Sequence, residues 1–470
     1  MKKSLFALAA IGAVAGSAQA QSSVTVYGIL DLGYVGSNTS AANQASTTNA
    51  YNATTNPLAN SVVRTTTGGF ADGAESTSRL GFKGNEDLGG GLSAFFTIET
   101  ALTPNQQNAI SSSGNTANRQ TFAGLKKAGV GQFAFGTQYT TIHNAVAATD
   151  PGMQNNMMGN VIYDKFSGIG ASQGNQAVGN AGGASATQAG NFNYSGMQNN
   201  TSYTVRANNM LSLETDTFSG FKGKAFAVMD GNTASQYTTP SGTNTNSIGA
   251  GYAGGQSSHT AWGLGVDYTW QKLLVTANYQ AFTDKNPYNA NSNGAYSTGA
   301  PIQNGWGGTS VLGTNAKDLQ QYYASTYDFG ILKAYVQYIN RKTSDVNNAT
   351  AYVARTASQI GVRSFVTPTI ESWASVGMGN YTVSNGAQGN SFVNNAPTTA
   401  STLAAITSGQ SNTAKFRAFQ LGTNYWLSKR TNLYAIYGQQ SQSNQTLSQY
   451  TVNPVSYNMN NYAVGMRHTF

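Results

Sequence analysis

From residue 23 onward, apolar and polar side chains alternate with a period of two, in stretches separated by Gly-, Asn-, Ser- and Thr-rich connections. The stretch 23–36 puts Val24, Val26, Gly28 and Leu30 on one face and Thr25, Tyr27, Ile29 and Asp31 on the other. The stretch 76–86 alternates Leu80 and Phe82 with Arg79, Gly81 and Lys83. The next, 92–102, sets Leu92, Ala94, Phe96 and Ile98 against Ser93, Thr97 and Glu99, with Phe95 out of phase. Successive side chains of a strand point to opposite faces, so this period predicts strands with one apolar and one polar surface. Sixteen such stretches run along the chain, the last being 460–470. An even number leaves both chain ends on the same side of a sheet closed on itself.

The connections alternate in length. Tight ones fall at 128–131, 218–221, 270–272 and 428–431, and long ones at 37–69, 142–200, 231–259, 285–317, 384–415 and 443–459. Strands of about ten residues joined alternately by short turns and long loops are the pattern of a membrane-spanning barrel, with the short turns periplasmic and the long loops outside. Only a closed barrel or helices satisfy every backbone polar group in hydrocarbon. After the leader, no stretch is long and apolar enough for a spanning helix.

The N-terminus supplies the route to that membrane. Lys2 and Lys3, a short apolar run over 5–15 and Ala18-Gln19-Ala20 form a secretory leader over residues 1–20, with cleavage expected before Gln21. Residues 21–470 are then one barrel domain. Composition agrees: charged residues make up only 9% of the 470 and there is no Cys. That argues against an ordinary cytoplasmic enzyme and removes disulfides, thiolate metal sites and Cys nucleophiles together. The formal net charge is +8, of which Lys2 and Lys3 supply two.

Five blocks carry a family resemblance: Val24-Thr25-Val26-Tyr27-Gly28-Ile29-Leu30-Asp31, the run from Ser78 to Leu92, Arg119-Gln120-Thr121-Phe122-Ala123-Gly124-Leu125, Leu427-Ser428-Lys429-Arg430-Thr431 and Gly465-Met466-Arg467-His468-Thr469-Phe470. Together they resemble the general porins of Gram-negative bacteria, especially the β-proteobacterial type. The resemblance implies an all-β, 16-stranded antiparallel barrel that assembles as a homotrimer in the outer membrane, in contact with its lipid and lipopolysaccharide. It also implies that the third long loop folds into the lumen. Tyr462, Val464, Met466, His468 and Phe470 share one parity. In similar porins such a stripe ending in Phe is read by the barrel-assembly machinery, which makes Phe470 and Tyr462 the candidate assembly signal.

The expected function is passive diffusion of small hydrophilic solutes and ions, filtered by size and by the charges lining the pore. Parity turns Arg79, Lys83, Arg119, Lys333, Arg363 and Arg467 inward, against Asp31, Glu99, Asp267 and Glu371. Lys333 and Arg467 lie too near the strand ends to belong to the filter. By the resemblance, Arg79 and Arg119 belong to the wall facing the third loop, with Arg119 matching the family's wall arginine. Within the loop, Asp150-Pro151-Gly152 predicts a turn, Asp150 and Asp164, the latter beside Lys165, are expected to oppose the arginines, and Met153, Met157 and Met158 are expected to pack on the wall.

The arginines and the mild net basicity predict a weak preference for anions. A cation-selective pore is the alternative if Asp150 and Asp164 dominate. A substrate-specific channel would need a continuous aromatic track, which Tyr27, Tyr322, Phe365 and Tyr434 are too scattered to form. Neither an enzyme nor a cofactor, metal or nucleic-acid partner is expected. His143, His259 and His468 have no patterned Ser or Asp partner and cannot meet around one metal, and His468 shares the lipid-facing parity.

Overall fold

A computed structural model describes residues 23–42, 62–105, 111–112, 115–116, 118–164, 197–199, 202–238, 252–286, 314–345, 352–384, 411–445 and 457–470. The expected leader and cleavage site, and Lys165, lie outside the described residues. Sixteen antiparallel wall strands close on themselves. The first eight are β1 (Ser23–Ala42), β2 (Arg79–Gly89), β3 (Leu92–Ala101), β4 (Asn118–Lys127), β5 (Gly131–Tyr139), β6 (Thr204–Thr215), β7 (Phe221–Thr238) and β8 (Tyr252–Trp270). The second eight are β9 (Leu273–Asn286), β10 (Thr314–Asp328), β11 (Lys333–Asp345), β12 (Tyr352–Thr367), β13 (Ile370–Ser384), β14 (Ser411–Trp426), β15 (Thr431–Gln445) and β16 (Tyr457–Thr469).

Closure is made by β16 lying along β1, from Thr469 opposite Ile29 to Tyr457 opposite Ala41. The last residue completes the seam. Backbone hydrogen bonds of 3.1 and 3.2 Å join Gly28 and Phe470, and a Cβ at position 28 would meet the Phe470 ring at 2.3 Å. Glycine at 28 is thus what lets the terminal ring lie flat on the outside of β1.

The alternation has its expected meaning in the wall. Val24, Val26, Leu30, Ile98, Tyr462, Val464 and Met466 are exposed on the outer face, while Asp31, Glu99, Gln320, Gln359 and Gln420 are buried on the inner one. Lipid covers the first set and polar partners satisfy the second. All sixteen expected strands are present, with ends that differ.

The upper strand ends run further than the alternation predicted. The supposed loop 37–69 is partly strand: Val62–Asp72 pairs with the upper half of β1 and continues β2 above a break at 73–78. Likewise β7 and β8 pair as far as Thr238 and Tyr252, inside the supposed loop 231–259. These extensions are rich in Ser, Thr, Asn and Gly on both faces. Above the lipid both faces meet water, so the hydrogen-bond ladder continues while the polarity pattern fades.

Buried apolar residues collect inside the barrel. After β5 the chain turns into the lumen and forms a short helix, α1 (Thr141–Thr149), followed by turns to residue 164. Ile142, Val146 and Ile162 of this inner segment pack with Tyr322, Ile339 and Phe416 of the far wall. Among the described residues, no helix is long and apolar enough to cross a membrane.

Candidate pore constriction

The inner segment is fixed from its first residue. Thr140 caps α1 by accepting from the His143 backbone N–H at 3.3 Å, and its own hydroxyl donates to the Thr204 carbonyl at 2.7 Å. At the far end of α1, the Thr149 and Tyr322 hydroxyls lie 2.5 Å apart. Gln337 donates to Tyr322 at 2.9 Å, and Gln359 donates to Gln337 at 2.9 Å. Further along, Asn155 and Gln420 exchange amide hydrogen bonds of 2.6 and 2.9 Å, and Asn461 accepts from the Met158 backbone at 3.2 Å. Inward glutamines and asparagines of β11, β12, β14 and β16 thus hold the segment on one half of the wall. Each buried amide is costly unless paired, so the belt and the segment fix one another.

The Asp150-Pro151-Gly152 turn forms as the sequence suggests. The Asp150 carboxylate accepts from the Gln154 backbone at 2.6 Å, Asn160 at 2.8 Å and Gln359 at 3.3 Å. Burial pushes its carboxyl above the usual aspartate range, and these donors, with Arg363 nearby, offset part of that rise.

The opposite side of the lumen carries the charge. Glu99 accepts from the Arg119 Nε at 2.6 Å and from the Tyr27 hydroxyl at 3.0 Å, with the Arg79 Nη1 at 3.9 Å. Arg119 also donates to the Tyr139 hydroxyl at 2.8 Å, and the Arg206 guanidinium lies over the same ring, 5.6 Å from its centroid. Arg206 is 7% exposed, and its buried Nη1 has no hydrogen-bond partner among the described residues. Arg119 and Arg79 therefore share one carboxylate, and the Arg206 guanidinium joins the group through Tyr139. His143 stacks on Tyr139 at 4.2 Å, and Tyr163 of the inner segment lies within electrostatic range of all three arginines.

Arg119 reaches this cluster through a bulge. Thr121 and Phe122 pair with Ile98 and Thr97, which puts odd-numbered residues of β4 on the lipid side. The register then slips, with Gln120 opposite Glu99 but Asn118 opposite Thr100. The extra residue at this slip is Arg119, which a bulge can re-aim. Strict parity within β4 would turn Arg119 outward with Thr121 and Ala123, so its expected inward orientation holds only because of the bulge.

The remaining expected residues fall elsewhere. Lys83 stands below the cluster with its ammonium 5.5 Å from the Tyr27 ring centroid. Asp31 is fully buried at the seam, where it accepts from the backbones of Glu75 and Ser76 and from the Tyr434 hydroxyl. It anchors the inward break at 73–78 and offers no face to the channel.

Arg363 pairs with Glu371 at 2.5 Å and donates to the Pro151 carbonyl at 2.8 Å, so it holds the turn. Asp164 pairs with Arg355 at 2.9 Å, and Asp150 points to Gln359, both on β12. Neither acid opposes Arg79 and Arg119 as expected, because the buried far wall supplies their partners. Met157 and Met158 are buried against the wall as expected, while Met153 is 45% exposed, a correction to its packing role. Met153 and Gln154 both have positive φ, and the Gln154 side chain donates to the His143 carbonyl at 3.1 Å and the Tyr203 hydroxyl at 3.2 Å.

Sequence reasoning passed over Arg206, Arg355, Arg341 and Asp318. Arg206 lies beyond a register slip between Ala207 and Met210, so parity counted from the exposed Leu211 and Leu213 does not carry to it. Arg341 pairs with Asp318 at 2.6 Å. Asp318 and Arg355 each lie just above the expected start of their strands, so shortening the strands hid them.

Comparison with known proteins places this geometry. The family model described as Gram-negative porin matches residues 7–445. An outer membrane porin protein of Bordetella pertussis is 27% identical over the whole of both chains. Outer membrane porin protein 32 of Delftia acidovorans is 31% identical over 47% of this chain and 48% of its own. Among solved structures, an anion-selective porin from Comamonas acidovorans superposes with a TM-score of 0.56 at 18% identity, covering 96% of this chain and 100% of that one. A trimer form of an outer membrane protein from Vibrio cholerae gives 0.51 at 15%, covering 96% and 99%.

Proposed function

The chain belongs to the Gram-negative porin family and lies in the outer membrane as a diffusion porin, and from that premise we propose that its channel weakly prefers small hydrophilic anions. The observation that carries this is the group of Arg79 and Arg119 on the Glu99 carboxylate with Arg206 beside them over Tyr139. Both acids of the inner segment are engaged on β12, so that segment faces the arginines with Tyr163 and His143 and adds no carboxylate to Glu99. A narrow aqueous passage walled by low-dielectric protein focuses such a field, which raises the local concentration of anions. The mechanism is passive and has no catalytic step. Inner-segment position sets the cross-section, and the arginines set the sign of the potential.

The same reading takes the protein as a homotrimer, as the Vibrio cholerae protein occurs in a trimer form. Its outer wall meets membrane lipid and lipopolysaccharide. Phe470, seated on Gly28, and the exposed Tyr462 are the features offered to the barrel-assembly machinery. Liposome swelling tests the permeability: small neutral sugars should enter at rates falling steeply with size, and a small organic anion should enter faster than a cation of equal size. Equal or reversed ion rates would refute the preference.

A further inference from the structure

The break at 73–78 touches both the segment that narrows the pore and an arginine that charges it. On one side Glu75 accepts from Asn424 at 2.8 Å and from Asn432 at 2.9 Å, and its backbone donates to Asp31, so the break is clamped to the barrel wall. On the other side it receives the tip of the inner segment. The Asn156 backbone N–H donates to the Ala74 carbonyl at 3.0 Å, and the Asn156 side-chain amide donates to the Gly73 carbonyl at 2.6 Å and to the Thr77 hydroxyl at 3.1 Å. Next to it the fully buried Met157 joins Ala74, Tyr434 and Ile436 in one apolar cluster.

Thr77 is also the residue that holds Arg79. The Arg79 Nε donates to the Thr77 carbonyl at 2.9 Å, its one hydrogen bond to a described residue, while Glu99 stands further off at 3.9 Å. Arg119 is fixed differently, by Glu99 at 2.6 Å and Tyr139 at 2.8 Å, side chains carried by β3 and β5. The Arg79 guanidinium therefore follows the break, whereas that of Arg119 does not. At the other end of this chain of contacts, both amide hydrogens of Asn156 are used on the break, and its buried Oδ1 has no partner among the described residues. A buried acceptor left unmatched costs free energy, so it is the donors that hold the side chain in place.

We propose that Asn156 is a positioning residue for the charge filter: acting through Thr77 it fixes Arg79, so the inner segment that narrows the pore also sets how strongly Arg79 favours anions. Cross-section and selectivity are then coupled at one place. A tip that lets go of the break widens the passage and at the same time frees a long, flexible arginine from the position in which it stands beside Arg119. The field of a charge falls with distance, so a guanidinium that swings away from the passage biases it less. The proposal deepens the anion preference proposed above and rests on it.

The test records reversal potentials of the purified full-length protein in planar bilayers under a salt gradient, for the native chain and for N156L, T77V, R79Q and the double variants N156L/R79Q and T77V/R79Q. Leucine keeps the size of Asn156 and removes its donors. N156L should shift the potential toward cations by about half as much as R79Q does, and should add little to R79Q in the double variant, because residues that act through one another are not additive. T77V, which removes the hydroxyl and keeps the carbonyl, should shift it in the same direction, and T77S should restore it. Folding is read from heat-modifiable gel migration, and should N156L fail to fold, T77V and its double variant carry the same comparison. A shift in R79Q with none in N156L or T77V would overturn the proposal. So would a shift in N156L that persists in full beside R79Q, since Asn156 would then serve the segment alone. No shift in R79Q itself would instead be a failure of the pore reading at Arg79, and would remove the coupling with it.

Discussion

The Tyr434 hydroxyl donates to the Asp31 carboxylate at 2.6 Å, reaching from β15 beneath the whole width of β16 to β1. Glycines open the way. A Cβ at Gly465 would lie 2.3 Å from that hydroxyl, and one at Gly33 would lie 2.9 Å from it. Asp31 also holds the Glu75 and Ser76 backbones, at 2.8 and 2.5 Å, so one carboxylate ties together both sides of the barrel seam.

Tyr434→Phe should weaken that seam. The lost hydrogen bond goes to a buried charge and is of the class that contributes about 1.5–3 kcal/mol. The temperature at which the folded gel band converts to the unfolded one should fall, with pore selectivity unchanged. An unaltered conversion temperature would remove the tyrosine from the closure.

Arg206→Gln should shift the reversal potential toward cations while leaving the Arg119–Glu99 pair in place. Arg119→Ala should shift it further, because it removes one cation and also frees Glu99, paired with it at 2.6 Å. Salt-gradient recordings on the two variants would check the order. No shift in either would exclude the cluster from the filter.

How far the sequence revealed this site can be read from single residues. Period-two alternation located all sixteen strands, since lipid on one side and polar lumen on the other impose it on the wall. It turned Arg79, Glu99 and Arg363 inward correctly. It could not foresee the bulge beside Arg119, because a register slip leaves no mark in a single chain's polarity. Asp31 and Asp164 were misassigned for a different reason: parity gives the face but not the partner, and Tyr434 and Arg355 lie hundreds of residues away. The amides of Gln337, Gln359 and Gln420 had no visible role until the segment they hold was in place.

Gln420→Leu should loosen the inner segment. The change removes the Asn155 amide's partner on β14 and the donor that now serves two backbone carbonyls, at Met157 and Met158. Open-channel current should become noisier and mean conductance should rise. Quiet, unchanged channels would show that the apolar packing of Ile142, Val146 and Ile162 suffices alone.

The raised carboxyl of Asp150 has a signed pH consequence. An acid whose folded value lies above its unfolded one favours folding most when protonated, and that contribution is lost as pH rises through the raised value. Between pH 4 and pH 7, the conversion temperature of the native protein should therefore fall relative to that of Asp150→Asn. A difference between the two proteins that stays constant with pH would mean that Asp150 titrates normally.

The most direct test of the arginine-lined channel is the reversal potential of the purified native protein in a planar bilayer under a salt gradient. The account predicts a small potential of the sign set by faster anion passage, diminishing as ionic strength screens the cluster. A potential of the opposite sign would contradict it, and would mean that carboxylates, not Arg79, Arg119 and Arg206, govern the field that ions cross.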